Sequence, residues 1–149
     1  MSTVKVEEIQ HPSNSNNAVS IASDSSVSLK HSGSAKLTTT STGVSVTGAL
    51  TASGDITAFS DERLKSDIET IDNALDKVMN MRGVSYIKQA EKGVGVIAQE
   101  IEKVLPEVVT DGEYKSVAYG NIVGVLIEAI KEQQKQIDEL KKDKHGSSD

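Results

Sequence analysis

Ser60 and Lys65 are the two side chains here whose types and spacing could support covalent chemistry, at the ends of the run Ser60-Asp61-Glu62-Arg63-Leu64-Lys65. A serine hydroxyl becomes nucleophilic when a neutral amine takes its proton, so the lysine must sit where the ammonium is disfavoured. The positive charge of Arg63, or burial beside Leu64 and Phe59, would act in that direction. Spacing limits the geometry: five residues along an α-helix turn through about 500°, or about 140° beyond a full turn, so the two side chains cannot share a helical face. Ser60 must therefore lie outside a helix, in an extended or turned segment, or meet Lys65 of a neighbouring chain. A serine five residues before a lysine is a weak signal by itself, and the same six residues fit a solvated junction that opens an acidic helix.

Other chemistries fall away on inspection. His11, His31 and His145 have no partner at helical spacing, so none reads as a metal ligand. The absence of cysteine removes disulfides, thiolate metal sites and thiol nucleophiles. Gly93-Val94-Gly95 lacks the third glycine and the following helix of a dinucleotide site. Glu100, Glu102 and Glu107 read as a solvated helix face, with a paired acid/base site as the lesser alternative. No cofactor and no metal is expected. With 16 basic against 22 acidic side chains, a formal charge of −6 leaves no excess to neutralise phosphates, so no nucleic acid is expected as a partner. No apolar run approaches the roughly 20 residues that cross a bilayer, so no membrane insertion is expected. The N-terminal MSTVKVEEIQ lacks the apolar stretch of a secretory signal.

The elements that must position the junction divide at Phe59. The 149 residues suffice for one ordinary domain or two small ones, and four aromatics (Phe59, Tyr86, Tyr114, Tyr119) argue against one large core. Residues 1–59 hold 21 Ser or Thr and seven charged side chains, whereas charge and helix formers dominate residues 60–149. Alternating apolar and polar residues predict strands over 18–22, 27–30, 35–38 and 44–47, separated by turn material. Their spacing fits a meander or a β-solenoid-like stack. Each strand carries too few apolar side chains to offset its chain entropy alone, so the strands are expected to bury their faces against copies of themselves. A disordered Ser/Thr-rich arm is the alternative.

In the second unit, Ser66-Asp67-Ile68-Glu69 reads as a capping box that opens a helix with Ile68, Ile71, Leu75 and Val78 on one face and Gly83 beyond its end. Strands are predicted over 84–87 and 94–97, joined through a turn at 90–93. A short helix follows over 99–105, stopped by Pro106, and then a hairpin about Asp111-Gly112. The last helix, about 120–142, carries the clearest pattern: Val123, Leu126, Ile130, Gln133, Ile137 and Leu140 form the a/d seam of a coiled coil, with Gln133 as a polar layer that sets register. Packing of this stripe onto a globular core is the alternative. The expected class is α+β with self-association, of an order the seam does not fix.

Three blocks then resemble a known family in its own order: SDERLKSDI, GVGVIAQEIEKVLPEVV and YKSVAYGNIVGVLIEAIKEQQKQIDELK. Over residues 60 to about 142 the chain is similar to the C-terminal intramolecular chaperone domain of phage endosialidases and tail fibres, the S74 peptidases. The resemblance implies a homotrimer in which this domain follows a β-rich stem (β-solenoid or triple-β-helix-like), holds three chains in register, and releases itself by autoproteolysis. By position Ser60 would be the nucleophile and Lys65 its base, cutting at the Phe59–Ser60–Asp61 junction on one side of Ser60 or the other. It implies a phage tail-fibre or spike-type structural protein of the virion, assembled in the host cytoplasm, with other tail proteins or a host surface receptor as further partners. A non-cleaving trimeric virion or adhesin protein that keeps the domain as a cap is the alternative. Two positions depart from the family pattern, Asp67 for Asn and Ala118 for Asp, and neither removes Ser60 or Lys65.

Overall fold

A computed structural model describes residues 5–10, 12 and 16–146, with the backbone alone for His145 and Gly146. The readings of Met1–Val4, of His11 and of the His145 side chain lie outside the described residues. The chain is α+β and divides into two compact units, Met1–Ser60 and Asp61–Asp149.

The first unit is a five-stranded antiparallel meander in chain order: β1 (Glu8–Gln10), β2 (Asn17–Ile21), β3 (Val27–His31), β4 (Ser34–Thr40) and β5 (Gly43–Val46). The β2 to β5 strands fall where the two-residue alternation places them; β1 is too short for alternation to signal. Ser32 and Gly33, both at positive φ (50° and 78°), make the tight β3–β4 turn. Pairing aligns the alternation across the sheet. Ile9, Val19, Leu29, Leu37 and Val46 are successive cross-strand partners, forming one apolar row. Glu8, Ser20, Ser28, Thr38 and Ser45 form the neighbouring row, which points to the other face. On that polar face Ser28 Oγ and Thr38 Oγ1 are 3.1 Å apart, and Lys30 Nζ donates to Asn17 Oδ1 at 3.3 Å. No residue among those described in this unit is fully buried.

The second unit is built from α1 (Ala74–Met79), the hairpin β6 (Val84–Lys88) and β7 (Glu91–Gly95), α2 (Ala98–Ile101), the two-residue strands β8 (Val109–Thr110) and β9 (Ser116–Val117), and the long α3 (Ile122–Gly146). Its core gathers Ala74 of α1, Ile101 of α2, Leu105, Val108, and Val125 and Ala129 of α3.

Several local expectations are corrected. The capping box at Ser66 opens no helix: Asp67 and Asn73 take left-handed φ of 52° and 49°, and α1 begins only at Ala74. Ile68 is left exposed, and Ile71, Leu75 and Val78 alone of that stripe reach the core. Asn80, not Gly83, ends the helix. The β6–β7 turn is Gln89-Ala90, both at positive φ, so β7 begins at Glu91 rather than Val94. The expected helix over 99–105 is one turn of α-helix at Ala98–Ile101, and Pro106 starts a separate 3-10 turn. Between β8 and β9 the chain takes a wider loop, residues 111–115, than an Asp-Gly turn, and within it Lys115 Nζ donates to Asp111 and, at 2.7 Å, to Glu102.

Candidate functional site

Two features of the chain could carry function: the junction at Ser60 and the outer face of α3. At the junction, Phe59 is 95% exposed, and Ser60 is the last residue of the first unit. Asp61 opens the second unit and caps a 3-10 turn over Glu62–Leu64. Its carboxylate accepts three hydrogen bonds from Arg63: Oδ1 from the backbone N–H at 2.9 Å and from Nε at 3.0 Å, and Oδ2 from Nη2 at 2.6 Å. These bonds hold the Asp61 carboxyl below the usual carboxylate range and push the Arg63 guanidinium up. A two-point fork onto a carboxylate that also caps a turn is geometrically specific even at the surface, where an ordinary ion pair contributes little.

Leu64 N–H then donates to Asp61 O at 3.1 Å and Lys65 N–H to Glu62 O at 3.0 Å, after which Lys65 returns to extended backbone (φ −127°, ψ 151°). Asp61 is thus extended, Glu62–Leu64 form a 3-10 turn and Lys65 is extended again, so this segment lies on no α-helix, one of the two arrangements that the spacing leaves open for a serine–lysine pair. Arg63 enters this geometry through a bond that the spacing did not signal: an i, i+2 pair meets only when a tight turn folds it back.

On α3 the residues that pack inward are Val125 and Ala129, both buried, with Ile122 beside them. The expected seam lies on other positions. Val123, Leu126, Ile130, Gln133, Ile137 and Leu140 are all exposed, Ile130 at 65% and Leu140 at 64%. They keep a strict seven-residue repeat in two interleaved rows. Ile127, exposed and next to this stripe, widens it toward the N-terminal end and was not singled out from the sequence. The stripe lies about 100° around the helix from Val125 and Ala129, so the face anchored in the core leaves an aliphatic stripe bare along the adjoining side.

Among the described residues no group of three His, Asp or Glu could hold a metal ion, and no helix is long and apolar enough to cross a membrane.

Residues 60–110 match the family model of Peptidase S74, described as chaperone of endosialidase. The chain is similar to the long tail fiber protein Gp37 of Salmonella phage S16, with 36% identity over 103 residues, covering 59% of this chain and 14% of that protein. It is similar also to Gp37 of Enterobacteria phage M1, 35% identical over 101 residues, covering 58% of this chain and 40% of that protein. To Gp37 of Enterobacteria phage K3 it is 36% identical over 94 residues, or 54% of this chain and 8% of that protein. In each case the chain spans less than half the length of the curated relative it matches.

Proposed function

We propose that this chain, whose second unit carries a chaperone-of-endosialidase domain, is a tail-fibre-type structural protein of a phage virion that trimerises through α3, templates assembly of its β-rich stem, and then cuts itself at the Ser60 junction. The observation that carries this reading is the exposed heptad stripe of α3, left bare while the adjoining side of the same helix, about 100° away, is locked into the core. Three such stripes joined as a coiled coil raise the local concentration of the stem strands to an intramolecular level. That lowers the entropic cost of pairing strands from different chains, the slow step of β-rich assembly.

In the cleavage step the Ser60 hydroxyl attacks a carbonyl at the junction, Lys65 takes the hydroxyl proton and passes it to the leaving amine, and water releases the acyl group from the serine oxygen. Removal of the template makes assembly one-way, so that the stem persists by kinetic stability. The family match and the extended, turned backbone around Asp61 support the Ser60 and Lys65 assignment. Assembly in the host cytoplasm, and contact with other tail proteins or a host surface receptor, belong to the same reading.

Intact mass under native and denaturing conditions tests it. The expected result is three chains in the native particle and two fragments meeting at Ser60 after denaturation, with Ser60→Ala giving the full-length chain. An intact wild-type chain after assembly would remove the peptidase and leave the second reading, a trimeric virion or adhesin protein that keeps its C-terminal cap. A single-chain particle would remove both.

A further inference from the structure

The turn that follows Ser60 is held by hydrogen bonds and not by packing. Every residue from Asp61 to Thr70 is exposed, Leu64 at 69%, and none belongs to the core of the second unit. A three-residue 3-10 turn has little stability of its own, since its bonds are poorly aligned and too few to offset the chain entropy. Here Asp61 caps the turn by accepting the backbone N–H of Arg63 on Oδ1, and the Arg63 guanidinium closes on both carboxylate oxygens from Nε and Nη2. An ion pair this open, with the Arg63 side chain 88% exposed, contributes little to the stability of a fold. What a two-point fork does supply is a fixed direction.

That direction bears on the junction. Ser60 is bonded to Asp61, and Lys65 stands four residues beyond Asp61. Four residues of extended chain span about 13 Å, whereas at the 3-10 rise of about 2 Å per residue they span about 8 Å. The bonds from Leu64 N–H to Asp61 O and from Lys65 N–H to Glu62 O draw Lys65 back by that difference. The fork also acts on the aspartate itself. A carboxylate beside a serine is the nearest alternative acceptor for the hydroxyl proton. With both oxygens bonded to Arg63, and its carboxyl held below the ordinary range, Asp61 is a poor base.

We infer that Asp61 and Arg63 are positioning residues for the cut at Ser60: their fork fixes the Glu62–Leu64 turn, which sets how far Lys65 stands from the junction, and it withholds the Asp61 carboxylate from proton transfer. This rests on the reading that Ser60 and Lys65 make the cut, and adds to it the pair that aligns them.

The test follows the first-order rate of cutting in the full-length chain, made by cell-free synthesis and read on denaturing gels, with native mass taken on the same samples. Arg63→Ala and Asp61→Ala are each expected to cut about tenfold more slowly than wild type, or slower still, at unchanged native mass. Asp61→Asn keeps an oxygen for the Arg63 N–H and should recover several-fold over Asp61→Ala, a rescue that a loss of folding would not give. The double variant Asp61→Ala/Arg63→Ala should be no slower than the slower single one, because the two side chains act as a unit. Arg63→Ala cutting within about twofold of wild type overturns this inference and leaves the serine–lysine pair standing. So does an Asp61→Asn chain as inert as Ser60→Ala, which would make Asp61 the base. A wild-type chain that stays intact, or Lys65→Ala cutting as fast as wild type, overturns the serine–lysine reading and this inference with it, and both are read before any Asp61 or Arg63 variant. If Arg63→Ala does not assemble, Arg63→Lys is read in its place with the same outcomes, since it keeps the charge and loses the fork.

Discussion

Glu132 of α3 holds the first turn of α1: its carboxylate accepts the backbone N–H of Ala74 at 2.9 Å and, through its other oxygen, that of Leu75 at 2.9 Å. Asn73, in the cap position and left-handed, makes no side-chain capping bond. A side chain 58 residues downstream thus does the work of a helix cap and ties the two helices that enclose the core. Glu132→Ala is expected to lower the stability of the second unit by about 1–2 kcal/mol in urea unfolding. Glu132→Gln keeps one acceptor and should recover part of that loss.

The α3 stripe separates assembly from folding. Ile130 is mostly exposed in the single chain, so Ile130→Lys should leave the unfolding transition of an isolated chain within about 0.5 kcal/mol. The same change places a charge in the proposed seam and should shift sedimentation from trimer to monomer at micromolar concentration. Gln133→Leu is expected to act oppositely, tightening association while admitting more than one oligomeric state.

Tyr119, in the turn before α3, fits against the hairpin only because residue 95 is glycine. A Cβ there would stand 2.6 Å from the Tyr119 hydroxyl oxygen, which accepts the N–H of Val96 at 3.3 Å. Gly95→Ala must therefore displace the tyrosine and break that bond, at a cost of about 1–3 kcal/mol in thermal or urea unfolding. Adding Tyr119→Phe to Gly95→Ala removes the clashing oxygen and should cost less than the two changes summed.

Charge pairs give the stability of the second unit a pH dependence at both ends. Arg82 holds the Glu100 carboxyl below its ordinary value, as Arg63 does for Asp61. Carboxyls depressed in the folded state add stability above their unfolded value of about 4, and lose it as pH falls through the lower folded value. Lys115 is pushed up by Asp111 and Glu102. Its contribution is full below the unfolded value near 10.4 and is lost as pH rises through the higher folded value. Unfolding midpoints should be flat at neutral pH and decline at both ends. Glu100→Gln should flatten the acid limb only, and Lys115→Met the alkaline limb only.

Local rules determined much of this protein from its residues. The two-residue alternation placed β2 to β5, because a strand's faces are decided by its own neighbours in sequence, and the three-four spacing along α3 marked its apolar stripe for the same reason. Tertiary structure decided what depends on distant partners. Ser66-Asp67-Ile68-Glu69 satisfies every local rule for opening a helix, yet α1 opens at Ala74, where Glu132 supplies the acceptors and Ala74 itself is buried. The apolar row from Ile9 to Val46 exists only once four strand pairings fix their registers, and each register depends on a turn and a partner strand. Likewise the bonds from Arg63 to Asp61 need a tight turn to bring i and i+2 together. Short-range geometry is written in residue types and periods, whereas capping across 58 residues and alignment across five strands arise only when separate segments pack.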